Sequence, residues 1–177
     1  MKNLRTHLAR FRRDPSGLAA IEFAMIAGFL SIAVLNVTDV SIFLYDKLQV
    51  NNATQMGVQA AWAACDLNHL PATSRCPAMG AAVAAAIKST SLGDAVKLTA
   101  GYPSDGYYCV NGSGSLQKVS EYDAPPTNCS AVGNSGTTPA EYVQVQTSYT
   151  YAPLFTGLTV LTFLPTRITS LAWVRLH

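Results

Sequence analysis

The sequence predicts an α+β protein in which a long N-terminal helix is followed by a small domain with an antiparallel sheet. Three observations predict this class. Residues 23–38 form an uncharged, largely apolar run of 16 residues. No proline follows until Pro71, so one helix has room to extend well beyond that run. After residue 95, apolar and polar residues alternate with the period of two that is typical of strands.

The N-terminal helix is predicted to cross a membrane over about residues 18–40. From residue 18 to residue 38 the run has 21 residues. A helix of that length extends over about 31 Å, close to the thickness of a hydrocarbon core. Five of the twelve basic residues precede Gly17, and basic residues beside a span tend to stay in the cytoplasm. We therefore expect a cytoplasmic N-terminus and a C-terminal part outside the cytoplasm.

Glu22 is the one feature of this run that a plain span does not explain. A secretory signal peptide cut near residues 31–33 is one interpretation, although apolar residues continue beyond that site. An uncut signal anchor is a second, in which Glu22 is a tolerated cost. In a third, the chain is cut after Gly17, and Glu22 then lies four residues from the new α-amine of Leu18, on one helix face. A carboxylate placed there can neutralise the amine, its own or that of a neighbouring subunit.

The residues around Gly17 resemble a known family. The stretch RRDPSGLAAIEF, which ends in Glu22 and Phe23, resembles the processing site of type IV pilins, and specifically the pseudopilins of the Tad (tight adherence, Flp pilus) system. Its continuation, with YDKLQVNNATQMGVQAAW, is similar to TadE-like proteins. The resemblance is strongest over residues 11–64 and returns more weakly in the last 35 residues. One departure is that Asn36 and Asp39 interrupt the apolar run early.

This resemblance implies a pilin-like fold, a location in the inner membrane and a periplasmic C-terminal domain. It implies cleavage after Gly17 by a prepilin peptidase and methylation of the new amine on Leu18. It also implies a sorting or assembly role for Glu22, and Phe23 is the last residue of the matching motif. The implied partners are the peptidase, other Tad pilins or pseudopilins and the pilus assembly platform. The expected organisation is a basic leader over residues 1–17, the N-terminal helix over 18–64 and an α+β domain over 65–177.

Within the outer part, the N-terminal helix is expected to continue and to pack through a stripe of Leu44, Leu48, Val58, Trp62 and Cys65. Two helices hinged near Gly57 are the alternative. The alanine density of residues 78–89 predicts a second helix. Strands are predicted over residues 95–102, 107–110, 116–122, 141–151, 160–164 and 168–174. The second and third are expected to form a hairpin, and residues 123–139 are expected to form a long loop.

The four cysteines, Cys65, Cys76, Cys109 and Cys129, all lie in the part predicted to be outside the cytoplasm, where an even number favours disulfides. Three connectivities are possible, and we favour the sequence-local one, Cys65 with Cys76 and Cys109 with Cys129. The order Cys65, His69, Cys76 matches no common zinc pattern. We therefore predict neither a metal nor a cofactor.

Other kinds of chemistry find little support in the sequence. Residues 115–118 fit the S-x-x-K nucleophile pattern, but its partner motifs S-D-N and K-T-G do not occur. The three histidines are scattered, and the sparse acids, Asp105 and Glu141 among them, suggest no catalytic carboxylate pair. After residue 17, seven basic residues face nine acidic ones without a basic stripe, which argues against nucleic-acid binding.

The sequence thus predicts a protein that is not an enzyme. We expect a minor pilin or pseudopilin of a Flp-type pilus, processed after Gly17 and supporting adhesion or surface attachment. The alternative is an uncleaved, membrane-anchored periplasmic binding module whose contact surface is the loop around Cys129.

Overall fold

A computed structural model of the chain describes residues 15–65, 70–155, 157 and 164–176. The first 14 residues of the predicted leader lie outside these ranges, as do Asp66 and His69 and most of the predicted strand over 160–164. The described chain forms two compact units. The first is Met1–Phe43 with Pro153–Leu164, and the second is Leu44–Ala152 with Pro165–His177.

Helix α1 extends over Pro15–Ala64 and is 50 residues long, so both units contain part of it. The alternative of two helices hinged near Gly57 is therefore wrong. The other elements are α2 (Ala72–Arg75), α3 (Met79–Ile87), β1 (Lys97–Leu98), β2 (Ser104–Val110), β3 (Leu116–Ser120), β4 (Ala140–Thr150) and β5 (Arg167–Arg175). A long apolar helix followed by a small antiparallel sheet confirms the predicted α+β class.

In the first unit, polar side chains of α1 bond to the helix itself. The hydroxyls of Ser31, Thr38 and Ser41 each donate to the carbonyl oxygen four residues earlier, at 2.8 to 2.9 Å. The Asn36 amide donates in the same way to Ile32 at 2.8 Å. Because each group finds its acceptor within the helix, these residues interrupt the apolar sequence without leaving those donors unpaired in an apolar surrounding.

The sheet of the second unit is built around β4, the strand that the alternation in EYVQVQTSYTY predicted. One edge of β4 pairs with β5 along its length, and the other pairs with β2 at its beginning and with β1 near its end. Strand β3 completes the sheet beside β2. Every pairing is antiparallel. The predicted hairpin, the strand over 168–174 and the helix over 78–89 are all confirmed.

The strand expected over residues 95–102 is much shorter than the alternation suggested. A 3-10 turn occupies Gly93–Ala95, and only Lys97–Leu98 pairs with β4. The chain then turns at Gly101, whose φ of 85° lies in the region that favours glycine. The alternating residues thus lie on either side of a tight turn, and a turn ends strand pairing whatever the side-chain pattern.

The packed face of α1 in the second unit consists of small and β-branched side chains. Val50, Ala53, Thr54, Val58 and Ala61 are buried there, opposite a row of buried side chains on β4. At Gly57, a Cβ atom would lie 2.9 Å from Ile87 Cγ2 and 3.2 Å from Val145 Cγ1. The close approach of helix and sheet therefore depends on a residue without a side chain.

The predicted stripe is wrong at three of its five positions. Leu44, Leu48 and Trp62 are 52%, 60% and 61% exposed, whereas Val58 and Cys65 are buried. Large side chains do not fit where α1 approaches β4 and α3 so closely at Gly57, so the smaller residues of the helix face the core.

Both cysteine pairs of the sequence-local connectivity are present as disulfides. Cys65–Cys76 links the residue after α1 to the residue after α2. Cys109–Cys129 links β2 to the loop before β4. That loop also contains a short 3-10 turn, Ser130–Val132, and a single bridge between Cys129 and Asn134.

Candidate functional site

The four residues predicted to direct processing lie within two turns near the beginning of α1. Gly17, Leu18, Glu22 and Phe23 are all helical and all exposed, with Leu18 63% and Phe23 73% accessible. Leu18 and Glu22 are four residues apart, so they lie on one face of the helix about 6 Å apart along its axis. The fold thus places the Glu22 carboxylate on the same helix face as Leu18, the residue that would carry the new α-amine after cleavage.

Gly17 has no packing role in the described chain. A Cβ atom built at this position meets no described atom within 4 Å, and its backbone is ordinary helix. Glycine within a helix costs about 0.5–1 kcal/mol relative to alanine. The stability of this fold therefore gives no reason for glycine at this position.

The surface around Glu22 is apolar on every side of the helix. Ten large apolar side chains of the first unit's helix are between 48% and 75% exposed: Leu18, Ile21, Phe23, Met25, Ile26, Phe29, Leu30, Ile32, Val34 and Val37. Among the described residues, one helix is long and apolar enough to cross a membrane, with a mean hydropathy of 2.3 over its best window, none of it buried. A surface of this extent requires lipid or protein to cover it.

Further along the same helix, Asp39 anchors a distant segment of the first unit. It is fully buried, and its Oδ1 accepts a hydrogen bond from the Leu154 amide at 3.1 Å. The sequence marked Asp39 only as an interruption of the apolar run. Its partner lies 115 residues away, so no local pattern indicated this bond.

Two buried acids of the second unit come together on neighbouring strands. Asp105 of β2 lies opposite Val143, and Glu141 of β4 lies opposite Tyr107. Asp105 accepts hydrogen bonds from the backbone amide and the hydroxyl of Thr73, at 3.0 and 2.8 Å. The antiparallel register of β2 and β4 decides this proximity, and the sequence alone did not reveal it.

Glu141 is the more perturbed of the two acids. Burial, and then the charge of Asp105, raises the pKa of Glu141 to about 7. Its Oε1 has no hydrogen-bond partner among the described residues. The Asp105 carboxylate already accepts two hydrogen bonds from Thr73. The two acids therefore form a buried, mutually repulsive pair, and their arrangement is not that of a catalytic acid and base.

Another buried acid joins α1 to the sheet within the second unit. The Tyr149 hydroxyl donates a hydrogen bond to the Asp46 carboxylate, which lowers the pKa of Asp46, but burial has the larger effect and raises that pKa overall. In the part of the chain that the structure describes, no group of three His, Cys, Asp or Glu residues is arranged to hold a metal ion.

A family model described as TadE-like protein matches residues 17–59. Residues 17–59 are TadE-like. This TadE-like segment contains Glu22, the exposed apolar surface and most of the part of α1 that packs in the second unit. The match confirms the predicted resemblance to TadE-like proteins over this segment. No curated protein and no solved structure matches the chain.

Proposed function

We propose that this chain is a minor pilin or pseudopilin of a Flp-type pilus, made as a precursor and cut after Gly17 by a prepilin peptidase. The observation that carries the proposal is the placement of Glu22, one helical turn beyond Leu18, in a run over residues 18–38 that is otherwise uncharged and largely exposed and that lies within the TadE-like segment. The protein is then the substrate of the peptidase, and its own role is assembly of a filament that supports adhesion.

The energetics of Glu22 favour a role after cleavage. A carboxylate at the centre of a bilayer costs about 2.5–3.5 kcal/mol, and less near an end of the span. The α-amine of Leu18, once released, supplies a positive charge on the same helix face. Pairing the two charges lowers the cost of burying both, whether the amine belongs to the same chain or to a neighbouring subunit.

Gly17 supports the same proposal from the other side of the cleavage site. Because no described atom constrains this position, a requirement for glycine there would have to come from another molecule. A peptidase that must bring the backbone close to its catalytic groups is such a molecule, since a residue without a side chain permits the closest approach.

The exposed apolar side chains of the first unit give the proposal its partners. In the inner membrane they lie against lipid, with the N-terminus cytoplasmic and the second unit in the periplasm. During assembly they exchange lipid for the helices of other Tad pilins at the assembly platform. This exchange has a small energetic cost because lipid tails and apolar side chains are similar solvents for these residues.

The test is the intact mass of the membrane-extracted protein, made with and without the cognate prepilin peptidase. We expect the peptidase to remove residues 1–17 from the wild-type chain and to leave a Gly17→Leu variant uncut. Gly28→Leu is the matched control, because a Cβ at Gly28 also meets no atom within 4 Å, and it should be cut normally. A full-length wild-type chain in both samples would contradict the proposal and favour an uncut, anchored binding module.

A further inference from the structure

A cleft lies on the face of the sheet that α1 does not cover. Val145 faces the helix, because a Cβ at Gly57 would lie 3.2 Å from its Cγ1. Tyr142 is three residues earlier on β4, and successive strand residues alternate between faces, so Tyr142 points to the opposite side. The same side of the sheet carries Arg175 of β5, which is paired with Tyr142. It also carries Tyr108 and Val110 of β2 and Leu116 of β3.

The cleft has the size of a small-molecule site. Its volume is about 420 Å³, and its walls come from β2, β3, β4, β5 and the chain before β4. Binding sites for small ligands typically have volumes of roughly 300–1,000 Å³. It is built from residues of the second unit alone.

The wall before β4 is held in place by several independent bonds. The Cys109–Cys129 disulfide fixes one end of the loop. The Asn134 side-chain amide donates to the Val110 carbonyl at 3.0 Å, and the Cys129 amide donates to the Thr137 carbonyl at 3.1 Å. A wall fixed in this way loses little conformational entropy when a ligand binds.

The lining of the cleft has a charged end and an apolar end. Arg175 lies at the β5 end. Leu116 lies at the β3 end, about 14 Å away at three strand spacings, and Val110 is its neighbour on β2. Between them, Tyr108 and Tyr142 meet edge to face, with ring centroids 5.9 Å apart. The described ion pairs are Lys88–Asp94 and Lys118–Glu121, so no described acid pairs with Arg175.

We propose that this cleft binds a small amphipathic carboxylate, with the carboxylate on the Arg175 guanidinium and the apolar body over Val110 and Leu116. A guanidinium presents its donors in a fork that matches a carboxylate. The exposed Thr138 lines the same wall. This inference does not depend on cleavage after Gly17.

The test is an NMR titration of the full chain in detergent micelles, following the backbone amides of Thr137 and Thr138. The probes are 4-phenylbutyrate and its uncharged match, 4-phenylbutyramide. We expect the acid to bind about tenfold more tightly than the amide, because only the acid carries a negative charge that pairs with the guanidinium. Arg175→Gln should weaken binding of the acid about tenfold and leave that of the amide unchanged.

Arg167→Gln is the matched control. It removes the same charge from the other end of β5, outside the cleft, and should change the dissociation constant by no more than about twofold. Equal binding of acid and amide, equal effects of the two arginine variants, or no shift at Thr138 would each overturn the proposal. A Gly-Gly-Phe peptide with a free carboxylate distinguishes the two sources of such a ligand. If the peptide binds more tightly than 4-phenylbutyrate, the natural ligand is the C-terminus of a polypeptide chain; if it binds more weakly, the natural ligand is a free small acid.

Discussion

The two halves of helix α1 differ in which side chains are exposed and which are buried. Between residues 18 and 37, large apolar residues such as Phe23 and Phe29 are exposed, at 73% and 75%. In the half within the second unit, the buried residues are small, with Ala53 and Ala61 fully covered. The first half has an apolar surface that none of the described residues covers, and the second half contributes to the core of the second unit. One helix thus serves two environments.

The difference shows where a substitution should act. A change in the second half should alter the stability of the folded chain, and a change in the first half should alter interactions with lipid or other subunits. Each prediction below tests one side of this division, beginning with the largest expected effect.

Reduction of the disulfides should destabilise the second unit and leave the first unit's helix intact. Bridges in small secreted domains contribute about 2–5 kcal/mol to the free energy of unfolding. The two bonds close intervals of 11 and 20 residues. Chemical denaturation of the oxidised and reduced protein in detergent measures the loss. Four freely alkylatable cysteines on the exported, unreduced protein would show that the bonds do not form.

Gly57→Leu should lower the free energy of unfolding by about 1–3 kcal/mol, the usual cost of overpacking a core. The added side chain begins 2.9 Å from Ile87 Cγ2, where α1 packs most closely. Gly28→Leu is the matched control in the first half, where a new Cβ meets open space. The control should be at least as stable as the wild type, because leucine replaces a helical glycine where the added side chain meets no described atom. Equal destabilisation by both variants would break the distinction between the halves.

The stability of the second unit should fall as the pH rises from about 4.5 to about 7. Because the pKa of Glu141 is raised from 4.5 to about 7 in the folded chain, the folded state binds this proton more tightly than the unfolded state. Losing it therefore costs stability, by up to about 3 kcal/mol for a shift of this size. Glu141→Gln should remove this loss and stabilise the protein at about pH 8. Denaturation curves across the window measure the effect, and an unchanged pH dependence in the variant would assign it to other groups.

Much of this architecture could be predicted from the sequence because its signals are local. The alternation of Val143, Val145 and Thr147 marked β4, and the uncharged run marked the first half of α1. Glu22 stood out for the same reason, since one charge in an apolar run is visible without any tertiary information. The cysteine pairs were predictable because each closes a short interval.

The remaining features depend on contacts that a linear pattern does not contain. Hydrophobicity selected Leu44, Leu48 and Trp62 as the packed stripe, whereas the sheet accepts the small residues around Gly57. The bond from Leu154 to Asp39, the proximity of Asp105 to Glu141 and the cleft beside Arg175 follow from chain pairing over long separations. Sequence patterns identified the elements, and register determined which side chains meet.

The most direct test of the division within α1 is the amount of mature chain recovered with other Tad pilins from cells that contain the prepilin peptidase. Glu22→Gln keeps the size of the side chain and removes its charge, so it should lower this recovery by at least about tenfold, the effect of losing a buried charge pair. Ser31→Ala, which removes an exposed polar group from the same run, should leave recovery unchanged. Normal recovery of the Glu22→Gln chain would contradict an assembly role for the first half of the helix.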